Sequence, residues 1–103
     1  MKPGFEFIAL KTSLENYLLN LGYTIFRDGD YVNYRLGGFE LFSFQLIYQY
    51  FWYRTSIDGT WQHYFNFNSE IVDNIKKYAL KLAKDYKHYK ITLAKKEIEK
   101  DFQ

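Results

Sequence analysis

The sequence has no cysteine, a single proline and only six glycines among its 103 residues. Without cysteine there is no disulfide, no thiolate nucleophile and no cysteine-ligated zinc or iron-sulfur site, and the absence suits a reducing interior. So little proline and glycine leaves no linker, no low-complexity tract and no internal repeat. No run of about 18 apolar residues exists, which argues against a membrane-spanning helix. The first ten residues include Glu6 and lack the basic-then-apolar order of a signal peptide, so the expected compartment is the cytoplasm. Glycine-rich phosphate loops, the serine elbow and a helical His-Glu-x-x-His pattern are also missing.

What the chain has in quantity is aromatic mass: eleven tyrosines, ten phenylalanines and two tryptophans. A chain of this length removes roughly 60–65% of its extended surface from water on folding, so dense packing of large side chains must supply its stability. The expected unit is one domain over residues 1–103, cooperative over about 5–90, with residues 91–103 protruding from it.

Thr12, Ser13, Leu14 and Glu15 have the form of a capping box, which places a helix start at Thr12 at the latest. Leu10, Leu14, Tyr17, Leu18 and Leu21 follow at helical spacing and Gly22 supplies the stop. Residues 5–11 fit either helix or strand. From Tyr23 the apolar period becomes two. Asp28-Gly29, Gly37-Gly38 and Asp58-Gly59 read as two-residue hairpin corners. The first sets Ile25 beside Val32, Tyr23 beside Tyr34, and Arg27 against Asp30. The second sets Tyr34 against Leu41 and Arg35 against Glu40. The third pairs Trp52 with Phe65 and Tyr50 with Phe67 on a core face, leaving Phe51, Tyr53, Thr55, Gln62, Tyr64 and Asn66 on the other. A further turn is needed near residues 47–49, because a strand from 39 to 57 would run about 60 Å.

Ser69 reads as the N-cap of the last helix, with Glu70 and Asp73 in its first turn. Ile71, Ile75, Tyr78, Leu82, Tyr86, Tyr89 and Leu93 form its apolar stripe. If continuous to residue 100 it would be about 47 Å long, against a radius of gyration near 13 Å expected for a domain of this size. The predicted fold is therefore α+β: an N-terminal helix, an antiparallel meander of four or five strands, and a long C-terminal helix, both helices on one sheet face.

Charge is unevenly spread. Residues 1–68 carry five basic and six acidic groups, and residues 69–103 carry nine and six. Lys77, Lys81, Lys84, His88 and Lys95 fall opposite the apolar stripe of the last helix. Such a face is most often a solvated one, and its functional reading is a track for phosphates or an acidic surface. The helix, strands, helix order resembles in outline the double-stranded-RNA-binding domain. Two-residue turns and an acidic opening to the last helix depart from that family's RNA contacts, so no residue role is carried over. Exposed aromatics beside basic groups suit single strands better.

Candidate chemistry is sparse. His63, facing Arg54 in the expected register, has no second ligand at metal spacing and reads as structural, and His88 as a surface residue. Asp28 and Asp30 begin like a calcium loop but lack its twelfth-position carboxylate. Glu6, Glu15 and Glu40 could form a magnesium-binding cluster only if Glu40 were released from Arg35. These readings point to a non-enzyme without metal or cofactor. The expected function is a small binding protein, a stoichiometric inhibitor or adaptor of a larger complex. Its partner would be a protein held by the aromatic sheet face through Phe42, Phe44, Phe51, Tyr53 and Tyr64. The Lys, Asn, Tyr, Phe and Ile bias suggests an AT-rich genome, and hence a phage or mobile-element accessory protein acting on host defence or replication. The alternatives are nucleic-acid binding by the lysine face with sheet aromatics, and a homodimer along Tyr86, Tyr89, Leu93 and Phe102.

Overall fold

A computed structural model describes residues 5–64 and 67–101. It contains helix α1 (Phe5–Asn20), strands β1 (Thr24–Asp28), β2 (Tyr31–Leu36), β3 (Phe39–Gln45), β4 (Tyr50–Tyr53) and β5 (Gln62–Tyr64), and helix α2 (Ser69–Asp101). The strands form one antiparallel sheet in the order β1-β2-β3-β4-β5, which is the α+β meander expected from the sequence. Among the described residues no helix is long and apolar enough to cross a membrane.

α1 starts at Phe5, so the proposed capping box lies inside a helix. The apolar positions Phe7, Leu10, Leu14, Tyr17 and Leu18 form one continuous stripe, and burying it outweighs the local preference for a start at Thr12. Glu15 instead accepts hydrogen bonds from the Tyr34 hydroxyl at 2.7 Å, Lys11 Nζ at 3.1 Å and Arg27 at 3.4 Å. The helix ends in a Schellman motif: Gly22, at φ +98°, donates to Leu19 O and Tyr23 N donates to Leu18 O. At the other end of the chain Asn68, not Ser69, caps α2, its Oδ1 accepting from Ile71 N at 3.0 Å.

The first corner falls one residue later than Asp28-Gly29. Gly29 (φ +59°) and Asp30 form the turn, Ile25 pairs with Tyr34, and Arg27 pairs with Val32 instead of meeting Asp30. A corner moved by one residue shifts the register by two, so each side chain keeps its face. The second corner, Gly37-Gly38, is as expected, with Leu36 opposite Phe39 and Arg35 opposite Glu40. Beyond it the register slips by one: Tyr34 pairs with Phe42, not Leu41, and Leu41 is the extra residue of a β-bulge. The required later turn occupies residues 46–49, with Gln49 at φ +58° and Gln45 Oε1 accepting from Tyr48 N at 2.7 Å.

The Leu41 bulge reverses the alternation of everything that follows. Phe42, Phe44 and Phe51 have 0% exposure and face the helices, and the Tyr50 and Trp52 side of β4 faces away. β4 and β5 are joined by residues 54–61, an eight-residue connection instead of a two-residue corner, so Trp52 pairs with His63. The expected partner Phe65, and Asn66, lie outside the described residues. Phe67 packs between Phe7, Phe44 and Phe51 at centroid separations of 4.9–5.7 Å. The core is completed by Leu14 and Leu18 of α1 and by Val72, Ile75, Ala79 and Leu82 of α2. Two buried hydroxyls tie the layers together, Tyr34 to Glu15 and Tyr23 to the Ala79 carbonyl at 2.9 Å.

Glu15 also makes stability depend on pH. Burial raises its carboxyl pKa, but hydrogen bonds from Tyr34 and Lys11 with the Lys11 and Arg27 charges more than offset this, holding it below 4.5. A carboxylate with a depressed folded pKa stabilises the fold above its unfolded pKa, and the contribution fades as pH falls through the folded value. Glu15→Gln is therefore expected to cost about 1 kcal/mol in urea unfolding at pH 7, with the gap to wild type closing below pH 4.5. Phe51→Ala should cost about 3–5 kcal/mol in the same assay, and Trp52→Ala distinctly less, because only the former empties the core.

Candidate functional site

Both helices cover the same face of the sheet, so the other is left to solvent. On that face alternate residues of each strand come together: Phe26, Tyr31, Asn33, Arg35, Glu40, Ser43, Tyr50, Trp52 and His63. Trp61 joins them from the β4–β5 connection. Tyr31, Asn33, Glu40, Ser43, Trp52 and Trp61 enclose a trough of about 310 Å³. Its walls are aromatic and its floor is polar.

The trough is built by short-range order in three strands. Tyr31 and Asn33 alternate in β2 with the buried Val32 and Tyr34, and Ser43 sits directly across from both Asn33 and Trp52. The Ser43 hydroxyl donates to Asn33 Oδ1 at 2.7 Å, which orients the carboxamide and leaves its NH₂ group as a donor. Tyr31 and Trp52 lie 6.4 Å apart, and Trp52 meets Tyr50 edge-on at 5.9 Å. Arg54 lies 4.5 Å over the Trp61 ring and donates from Nη1 to the Ile57 carbonyl at 3.5 Å. Arg54 N also donates to Leu41 O at 3.0 Å, so the bulge that sets the faces is anchored by a residue beside the trough. Arg35 lies 4.3 Å over Phe26 and pairs with Glu40 through Nε at 3.1 Å and a second, closer contact from Nη2.

None of the five aromatic residues expected on the free face is there. Phe42, Phe44 and Phe51 are core, and Tyr53 and Tyr64 are half-buried on the helix side, because the bulge exchanged the faces. Tyr53 stacks on Tyr64 at 5.0 Å and under Tyr78 of α2 at 5.6 Å. Hydrogen bonding with Tyr64, then burial, pushes the Tyr53 phenol up to about 12. The residues missed were Tyr31, Asn33, Ser43, Trp52 and Trp61. The signal that could have found them is the adjacent apolar pair Leu41-Phe42, which a strictly alternating strand would not carry.

The basic residues are placed as expected. Lys77, Lys81, Lys84, His88 and Lys95 are all exposed along α2. Among the described residues no group of three or more His, Asp or Glu side chains could hold a metal ion. Glu15 on α1 is engaged by Lys11 and Arg27, and Glu40 on β3 by Arg35 on the open face of the sheet. The trough offers stacking surfaces, amide donors and a carboxylate oxygen, and its serine hydroxyl, on Ser43, is bonded to an amide and not to a base.

No protein family, curated protein or solved structure matches this chain. The functional reading rests on the geometry.

That geometry makes a direct spectroscopic statement about Trp52. In a Trp61→Phe variant the remaining indole should stay accessible to acrylamide, because it lines an open trough. Strong shielding of that fluorescence would place Trp52 in the core and reverse the assignment of faces.

Proposed function

We propose that the chain is a non-enzymatic binding protein that acts by occupying a surface of a larger protein assembly, as a stoichiometric inhibitor or adaptor does. A role against host defence or replication, in a phage or mobile-element setting, is the biological form this reading takes. The observation that carries it is the composition of the uncovered sheet face. Tyr31, Trp52 and Trp61 stand around a polar floor with Arg35 and Arg54 beside them, and tryptophan, tyrosine and arginine are the residue types that dominate protein–protein binding energy.

Charge favours protein over nucleic acid at this face. Between residues 24 and 64 there is no lysine, and Arg27, Arg35 and Arg54 are outnumbered by Asp28, Asp30, Glu40 and Asp58. A polyanion gains little from such a surface, whereas a protein partner needs only local complementarity. Asn33 and the free oxygen of Glu40 supply hydrogen bonds that fix orientation inside an aromatic rim.

A second reading is favoured by the exposed lysines of α2. If Lys77, Lys81, Lys84 and Lys95 each neutralise a phosphate, affinity for nucleic acid should fall with a log-log salt slope between about −3 and −4. Flat or absent binding in gel shifts removes that reading.

The test of the leading reading is capture from the native host followed by substitution. Trp52→Ala or Tyr31→Ala is expected to weaken the captured complex by on the order of tenfold or more, and Lys77→Ala to leave it unchanged. Failure to capture any protein in near-stoichiometric amount, or capture indifferent to both trough substitutions, overturns it.

A further inference from the structure

From Lys87 to Glu99 every residue of α2 is exposed, although the helix continues to Asp101. Thirty-three residues of helix measure about 50 Å, and the whole molecule extends 59 × 26 × 23 Å, so its long dimension is set by this helix. Apart from Tyr89, which packs on Phe39, this segment is turned to solvent, and it carries Ile91 and Ile98 on its surface, the latter 56% exposed. A helical end of this kind frays unless something packs on it.

Leu80, Lys84, Lys87, Ile91, Ala94 and Ile98 recur at steps of four, three, four, three and four residues. That is the spacing of a two-helix seam. At 100° per residue it lies about 120° around the helix from the buried stripe of Ile75, Ala79, Leu82 and Tyr86, so the protein's own sheet does not obstruct it. The surface there is not flat. Lys84, Lys87, His88 and Ile91 line a hollow of about 280 Å³. These residues stand at i, i+3, i+4 and i+7, the four positions that make the hole of knobs-into-holes packing.

We infer that this hollow receives Ile98 of a second copy of the chain, the two α2 helices pairing antiparallel across residues 84–101. Charge selects the direction. Residues 84–88 hold Lys84, Asp85 and Lys87, net +1, and residues 97–101, which face them in the antiparallel register, hold Glu97, Glu99, Lys100 and Asp101, net −2. Only an antiparallel arrangement lays the basic segment of each copy on the acidic segment of the other. With Lys87 opposite Ile98 of the second copy, Ile91 falls opposite Ala94, and one flank sets Lys90 beside Glu97 twice by symmetry. The other flank places His88 against Lys95 and adds nothing favourable. Tyr86, Tyr89 and Leu93 are not in this seam: Tyr89 packs on Phe39 of its own sheet at 5.5 Å. Phe102 lies outside the described residues. The inference is independent of the trough, which lies on the far side of the sheet from α2.

Sedimentation equilibrium of the full chain over a concentration series tests it. Wild type should show a monomer–dimer equilibrium, and Ile98→Lys, which brings a third cation to Lys84 and Lys87, should be monomeric with unchanged near-ultraviolet circular dichroism from the aromatic core. Lys90→Glu and Glu97→Lys should each weaken association by roughly tenfold. The chain carrying both reversals should regain it, because each copy again presents opposite charges to the other. A wild type that stays monomeric throughout, or a double reversal no better than either single change, overturns the proposal.

Discussion

One extra residue in β3 decides which side of the sheet is the core. Had the ladder run on without the Leu41 bulge, Phe42, Phe44 and Phe51 would face water. Leaving one such side chain exposed forfeits about 1.5–3 kcal/mol, so the three together outweigh by several-fold the loss of a ladder pairing worth about 1 kcal/mol. Even that loss is reduced, since the Leu41 carbonyl is satisfied by Arg54 N. The bulge lets Leu41 and Phe42, neighbours in sequence, both be buried. It also hands Ser43, Tyr50 and Trp52 to the opposite face. The core and the trough are therefore two consequences of one backbone irregularity, and removing the bulge would dismantle both.

The two sides of the sheet then differ in kind. Under the helices, Phe7, Phe44, Phe51 and Phe67 meet at mixed edge-on and tilted angles with ring centroids 4.6–5.8 Å apart, the geometry that ring quadrupoles favour. On the open side the rings are spaced by Asn33, Ser43 and Glu40, which keeps the surface wettable while leaving aromatic faces available. Gly37 shows how closely the helix layer sits on the sheet. Its φ is +59°, and a side-chain carbon there would collide with the Tyr86 ring of α2, so the second corner lies directly beneath the helix that crosses it.

The meander was legible because glycine-bearing corners announce themselves locally, and a corner misplaced by one residue preserves every face. Helix α2 was legible because its apolar stripe repeats over many turns. The candidate site was not, because a bulge has no fixed residue signature and a one-residue slip inverts all that follows. Of the two alternatives for residues 5–11 the helix is realised, because Phe7 and Leu10 join the buried stripe; Thr12 and Glu15 satisfy a local capping rule that gives way when Glu15 finds Tyr34. Asn68 and Ser69 are both good caps side by side, and only the bond from Ile71 N distinguishes them. At the bulge and at the capping box a non-local contact overrode a valid local preference.

The distribution of cations gives the two ends of the molecule separate chemistries. All the fixed cations between residues 24 and 64 are arginines, and Arg35 and Arg54 lie over aromatic rings on the open face. From residue 69 onward every fixed cation is lysine, whose long flexible stem and strong hydration suit an exposed helix and can still cover apolar neighbours such as Ile91. Arginine holds its plane against a ring and loses little freedom when a partner covers it, whereas lysine stays soluble until an opposing carboxylate arrives. The arginine-bearing open face and the lysine-bearing end of α2 therefore differ in chemistry within a single small chain, and the docked half of α2 connects them.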